Sequence, residues 1–117
     1  MNTVRRKRLT FGPGFRVVLA NRRAEAAVMV ISPGDAEGDA RNRHRGADQW
    51  LFVVSGTGLA TVNERRYRLG KDVLLLIERG DRHEIRNTGT IPLTTLNFYA
   101  PRAYTKAGNT LPAGRRS

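Results

Sequence analysis

The chain has 117 residues, 39% of them hydrophobic, with 21 basic and 10 acidic side chains, no cysteine and a formal net charge of +11. This length favours a single domain over residues 1–117, and the lack of cysteine excludes disulfides, thiolate nucleophiles and cysteine-ligated metals. The apolar runs, such as the one at 73–77, are far shorter than the roughly 20 residues of a membrane-spanning helix. No apolar segment follows the basic residues 5–8 as a secretory signal requires, so we expect a cytoplasmic protein without membrane association.

Short β-branched or alternating segments predict about eight strands, and helical periodicity is nearly absent. Following the chain, we expect strands at 15–20, 27–31, 49–54, 59–62, 66–69, 73–77, 83–86 and 93–99. Turn residues such as Pro33-Gly34 and Gly56-Thr57-Gly58 separate these strands. Strands and turns without helices predict an all-β sandwich or small barrel.

The longest predicted loop spans residues 32–48 and contains His44, one of two histidines in the chain. A loop of this length is unusual in a compact domain and is often functional. We place the core at about 15–101. The segment after Pro101 is expected to be loosely ordered. The basic N-terminal segment is expected either to be loose or to add an edge strand or part of an interface.

The strand at 49–54 carries apolar side chains on both faces. Alternation places Gln49, Leu51 and Val53 on one face, and the residues between them, Trp50, Phe52 and Val54, on the other. One face would line a barrel interior. The other would pack on a partner, which predicts a homodimer, or on another segment of this chain.

Two stretches of the sequence carry the candidate chemistry. In the first, His44 precedes Gln49 by a short loop, and Gly56 ends the strand that follows. In the second, Gly80 precedes His83 after a short strand, and Asn87 follows. These stretches resemble the two motifs of the cupin superfamily, and the chain is similar to small single-domain cupins of the conserved-barrel type over about 15–101.

The resemblance implies a double-stranded β-helix, or jelly roll, with a divalent metal inside the barrel. Matched residue by residue, His83 stands at the histidine of the second motif and His44 at the second histidine of the first. Gln49 stands where cupins usually carry glutamate, and Asn42, the weakest candidate, where they carry the first histidine. An alternative register makes His44 the first histidine and Gly46 the second. Nitrogen and oxygen ligands of this kind suit zinc, nickel, iron or manganese without choosing among them.

For function, the resemblance suggests a dioxygenase, isomerase, decarboxylase or cyclase acting on a small organic molecule. The alternative is a non-catalytic cupin that binds a small ligand in a degraded metal site, because Gln49 lacks the usual carboxylate. Four arginines near the expected barrel mouth favour an anionic or phenolate-like substrate: Arg41, Arg43, Arg45 and Arg82. No catalytic residue is assigned, and Tyr99 and Tyr104 stay without a role.

A nucleic-acid role is the minor alternative raised by the charge. Residues 1–46 contain ten basic and four acidic groups, and residues 47–117 contain eleven basic and six acidic groups. The positive charge is therefore spread over both parts of the chain. No recognition helix or stacking motif accompanies the basic segments at 5–8 and 115–116. We therefore expect most of the charged side chains to be solvent-exposed and to have no specific binding role.

Overall fold

A computed structural model describes residues 4–43 and 46–104, with residues 39–43 described by their backbone alone. Its described residues form nine strands and no helix. The strands are β1 Gly14–Ala20, β2 Glu25–Ile31, β3 Ala36–Arg43, β4 Asp48–Ser55, β5 Gly58–Val62, β6 Arg65–Leu69, β7 Leu74–Ile77, β8 Arg82–Asn87 and β9 Leu93–Ala100. Accordingly, this part of the chain contains no helix long and apolar enough to cross a membrane.

The strands make two antiparallel sheets. The first sheet has the order β1-β2-β9-β4-β7, and the second has the order β3-β8-β5-β6. Strands that are distant in sequence are neighbours in both sheets, as β2 and β9 are, which is the long-range pairing of a jelly roll. The predicted all-β jelly-roll fold is confirmed.

The core lies between the sheets and follows from alternation along the strands. On β4 the residues Gln49, Leu51 and Val53 are buried, and the residues between them are only partly buried. The predicted parity of this strand is therefore confirmed. The central apolar cluster combines both sheets: Met29, Ile31, Leu51, Val53, Ala60, Val62, Leu69, Ile77, Ile85 and Leu93.

All eight predicted strands are present, but the prediction of one long loop at 32–48 is wrong. Residues Ala36–Arg43 within it form β3, which pairs with β8 at the edge of the second sheet. Its sequence, AEGDARNR, has no apolar alternation and no β-branched residue, so local propensity gave no signal. Backbone hydrogen bonds to β8 make it a strand, because pairing with a neighbour overrides propensity.

Both terminal segments contact the first sheet where the structure describes them. In the N-terminal segment, Leu9 packs on Val18, Val28 and Val30 at the outer face of the first sheet. Arg5 donates a hydrogen bond to the carbonyl oxygen of Ala20 at 3.1 Å. The expectation of a loose segment directly after Pro101 is wrong for residues 102–104, because they are hydrogen bonded to the buried Glu25.

Candidate functional site

Gln49 and His83 project into the same end of the barrel interior, which we call the polar end. Gln49 lies near the start of β4 in the first sheet, and His83 near the start of β8 in the second. The two strand starts are joined because the backbone N–H of Arg79, in the turn before β8, donates to Asp48 Oδ1 at 2.8 Å. Both side chains are buried, and the starts of their strands lie at the same end of the barrel.

Gln49 is held by its amide nitrogen. Its Nε2 donates to Asn97 Oδ1 on the neighbouring strand β9 at 2.8 Å. Its Oε1 is buried and accepts no hydrogen bond from the described backbone or from the side chains of residues 4–38 and 46–104. A buried carbonyl oxygen without a donor is costly, so this atom is a ready position for a cation or a donor group.

His83 is kept neutral by its surroundings. Burial lowers its pKa below the usual value, against a smaller upward effect from its hydrogen bond to the backbone of Asp81 and from the charge of that residue. Its register partners are Asp39 on β3 and Val62 on β5. A neutral imidazole is the form that binds a metal ion.

The side chains of the other two predicted ligands lie outside the part of the chain that the structure describes. His44 lies outside the described residues. Asn42 belongs to β3 by its backbone, in an irregular stretch where Asp39 pairs with His83 but Arg43 pairs with the adjacent Arg82. Within the described ranges, no group of three or more His, Cys, Asp or Glu side chains is arranged to hold a metal ion. Ligation by this set of four residues remains a prediction.

A buried carboxylate, Glu25, binds residues 102–104 beside the polar end. Glu25 Oε1 accepts the backbone N–H groups of Ala103 at 2.7 Å and Tyr104 at 2.6 Å, and Arg102 lies 3.4 Å from Oε2. We call residues 101–104 the C-terminal strap. Three charge-assisted contacts on one carboxylate explain why this strap is ordered.

The strap places Tyr104 against an aromatic cluster beside Gln49. Tyr104 lies 5.0 Å from Tyr99 and 4.7 Å from Phe15 between ring centroids, and Tyr99 is the register partner of Gln49. Burial raises the pKa of both tyrosines, and that of Tyr99 lies well above its usual value. The phenols are therefore protonated at neutral pH.

Sequence reasoning missed Glu25, Thr95 and Asn97 as residues of the polar end. The signal available for the last two was parity, since Leu93, Thr95, Asn97 and Tyr99 alternate along a predicted strand and all are buried. Glu25 gave no such signal because it precedes the strand predicted at 27–31. Asp48 accepts a hydrogen bond from the turn before β8. Asn87 Oδ1 accepts from the N–H of Gly89 in the turn after β8.

Comparison with protein families gives one match that decides the family. The model described as "Cupin domain" matches residues 27–99, which is more than half of the chain and contains β2 to β9 up to Tyr99. The chain belongs to the cupin family. The predicted resemblance is confirmed, and cupins commonly bind metals and small-molecule ligands.

Relatives of this cupin carry different names. It is 32% identical over 73 residues to the tetracenomycin polyketide synthase protein TcmJ of Streptomyces glaucescens, covering 62% of this chain and 48% of that one. It is also 32% identical over 82 residues to a mannose-1-phosphate guanylyltransferase of Klebsiella pneumoniae, covering 70% of this chain and 17% of that one. This cupin thus spans about half of one relative and about a sixth of the other.

Solved structures support the same fold. A crystal structure of BH2720 from Bacillus halodurans superposes with a TM-score of 0.71 at 24% sequence identity, covering 85% of this cupin and 76% of that chain. At this identity the likeness shows the fold alone. Two relatives with unrelated names and one shared fold mean that the chemistry must be argued from the residues of the site.

Proposed function

We propose that this cupin binds a divalent transition metal at its polar end through His83 and Gln49, with His44 and Asn42 completing the ligand set, and acts on a small organic molecule there. The supporting observation is the buried Gln49 Oε1, which has no donor among the described side chains (4–38 and 46–104) and shares the polar end with a neutral histidine. An imidazole nitrogen and an amide oxygen are suitable ligands for zinc, nickel, iron or manganese.

At the polar end, Gln49 and His83 would hold the metal, and two tyrosines lie beside them. When bound, a divalent cation would supply Lewis-acid chemistry. Gln49 and His83 would be uncharged metal ligands. They would not neutralise a bound cation, which would therefore attract an anionic substrate. Tyr99 and Tyr104 hold protonated hydroxyls beside this end.

For the reaction, dioxygenase, isomerase, decarboxylase or cyclase chemistry all fit a metal-holding cupin. The name of the Streptomyces relative makes a phenolic polyketide-like molecule the first substrate class to test. Arg82 at the start of β8 is only loosely engaged, 3.8 Å from Glu64, and its charge favours such an anion.

Metal analysis of protein purified without chelator tests the proposal. The wild type is expected to carry a transition metal at a near-stoichiometric level, and His83→Ala and His44→Ala are expected to lose it. Arg86→Ala is the matched control, because Arg86 lies on the same strand as His83 but is exposed on the outer face. A folded wild type without metal, even after incubation with zinc, nickel, iron and manganese, would overturn the proposal.

A second candidate function is favoured by the amide at position 49. A glutamine in place of the usual carboxylate also suits a non-catalytic cupin that binds a small organic ligand by hydrogen bonds. Thermal-shift measurements separate the two, since stabilisation by organic ligands with no response to metals or chelator supports the binding protein. Stabilisation that requires metal supports the first function.

We also propose that the protein is a homodimer through the outer face of the first sheet. Six large apolar side chains lie on adjacent positions of β4, β7 and β9 there: Trp50, Phe52, Leu74, Leu76, Leu96 and Phe98. Leu74, Leu76 and Phe98 are exposed. This patch carries no charge, so a second copy can pack on it without the repulsion that a net charge of +11 imposes elsewhere.

Light scattering tests this association. We expect the mass of two chains for the wild type and of one chain for Phe98→Glu. Tyr67→Glu, at an equally exposed aromatic residue on the second sheet, is the control and is expected to stay dimeric. A monomeric wild type would overturn the proposed dimer.

A further inference from the structure

A chain of three hydrogen bonds leads from Gln49, in the polar end, across β9 to the backbone of Met29 on β2. Thr95 Oγ1 donates to the carbonyl oxygen of Met29 at 2.8 Å, and Asn97 Nδ2 donates to Thr95 Oγ1 at 2.9 Å. Gln49 Nε2 then donates to Asn97 Oδ1 at 2.8 Å. All four residues are at least 95% buried, so water does not compete for these bonds.

The number of protons sets the direction of this chain. A threonine hydroxyl has one proton, and the Met29 carbonyl can only accept, so Thr95 gives its proton to Met29. Thr95 Oγ1 can then only accept from Asn97, which must present its NH₂ group. The remaining Asn97 Oδ1 faces Gln49, which must in turn present its own NH₂ group. Amide orientations are otherwise ambiguous, and here the threonine resolves both.

The consequence appears at the far side of the Gln49 amide. With Nε2 committed to Asn97, Oε1 is turned away from it, buried, and without a donor in the described parts of the chain. We propose that Thr95 and Asn97 are positioning residues that hold Gln49 Oε1 as an acceptor, so that the ligand group bound at this atom is a cation or a hydrogen-bond donor and not an oxyanion. Contact with that ligand rests on the proposed function, whereas the orientation of the amide does not.

The same chain distinguishes glutamine from glutamate at this position. A carboxylate at position 49 would place an oxygen against Asn97 Oδ1. Asn97 would have to reverse its amide, and its oxygen would then face Thr95 Oγ1. Thr95 would relieve that contact only by withdrawing its proton from Met29. The hydrogen-bond chain is therefore matched to the glutamine that replaces the usual cupin carboxylate.

A double-mutant cycle on stability tests the orientation of the amide. Gln49→Glu, Thr95→Val and the double variant are unfolded with urea in chelator at pH 9, which favours the ionised form of a buried glutamate. Gln49→Glu should raise the unfolding equilibrium constant both in the wild type and in Thr95→Val. We expect the increase to be roughly five- to tenfold smaller in Thr95→Val, a difference that corresponds to one hydrogen bond. Without the hydroxyl, Asn97 reverses at no cost to Met29.

The control cycle uses the neighbouring threonine. Thr94→Val removes a hydroxyl from the adjacent position of β9, which faces the other side of the sheet, and its effect should add to that of Gln49→Glu. Additivity within about twofold for the Thr95 cycle as well would overturn the proposed orientation.

Ligand binding tests the acceptor role with two kinds of probe. Zn²⁺ alone serves as the cation, and, in chelator, phenol as a donor is compared with benzoate as an oxyanion. We expect Zn²⁺ or phenol to bind the wild type and to bind Thr95→Val at least fivefold more weakly, with Thr94→Val unchanged. Benzoate bound as tightly as phenol, or no change in Thr95→Val, would overturn the role. Failure of Zn²⁺ with a response to phenol would reject the proposed metal and support the acceptor.

Discussion

The two halves of the barrel interior use the same strands for opposite purposes. The apolar half is built from residues such as Leu51 on β4, Ile85 on β8 and Leu93 on β9. The polar half lies two to four positions along the same strands and carries Gln49, His83 and Asn97, and it meets the apolar half where Asn97 pairs in register with Leu51. The apolar half gains stability from area removed from water, and the polar half holds directed groups that must each find a partner. A single sheet register therefore supplies both a core and a candidate site.

The largest expected effect lies in the apolar half. Leu51 is fully buried in the central cluster, so Leu51→Ala should reduce the free energy of unfolding by about 2–5 kcal/mol through lost burial and the cavity left behind. Urea unfolding measures this loss. Ile91→Ala, at a residue 54% exposed in the turn before β9, is the control and should change stability by less than about 0.5 kcal/mol. Similar losses for both variants would contradict the assignment of Leu51 to the core.

The second-largest effect is expected from Glu25 in the polar half, and it should be confined to the residues that Glu25 binds. Glu25→Ala leaves the N–H groups of Ala103 and Tyr104 and the Arg102 guanidinium without their shared acceptor, at a cost of about 1–3 kcal/mol. Hydrogen exchange at these two amides should accelerate, while the amides of β4 keep their protection. Exchange that accelerates equally in β4 would show that the polar half is not separable from the core.

A pH effect should come from His83 in protein kept free of metal by chelator. Its pKa is about 6.5 when unfolded and lower when folded, so the unfolded chain binds more protons at mildly acidic pH. Stability contributed by His83 is present above pH 6.5 and decreases as the pH falls towards the folded pKa. Urea midpoints between pH 7.5 and 5 should fall more steeply for the wild type than for His83→Gln, and equal slopes would refute the shift.

The smallest effect is expected outside both halves. Glu84 lies between His83 and Ile85 on β8 but faces outward, where it pairs with Arg86 at 3.4 Å. Such partly exposed pairs contribute little, so Glu84→Gln should change the free energy of unfolding by less than about 0.5 kcal/mol. A loss as large as that of Glu25→Ala would show that burial is not what separates the two carboxylates.

Much of the fold could be predicted because its signals are local. Alternation located eight strands and placed Gln49, Leu51 and Val53 on one buried face. Turn residues located the connections, as Asn87 and Gly89 illustrate. The strand β3 could not be predicted, because its polar sequence becomes a strand only through pairing with β8.

The candidate site was predictable in its residue types and less so in its partners. His83 and Gln49 stand out by motif, but the group that orients Gln49 lies 48 positions away, and Glu25 lies 78 positions from Ala103. No local pattern marks such pairs. They arise when β9 is inserted between β2 and β4 in the first sheet.

By itself, the sequence determined the all-β class, the buried face of the strand at 49–54 and the membership of the cupin family, since periodicity and motif spacing are properties of neighbouring residues. Only the tertiary structure decided that β3 is a strand, that residues 102–104 are bound to Glu25, and that the Gln49 carbonyl is turned away from Asn97. The physical reason is that hydrogen bonds between distant strands depend on which strands lie side by side, and that order follows from burying the whole chain at once.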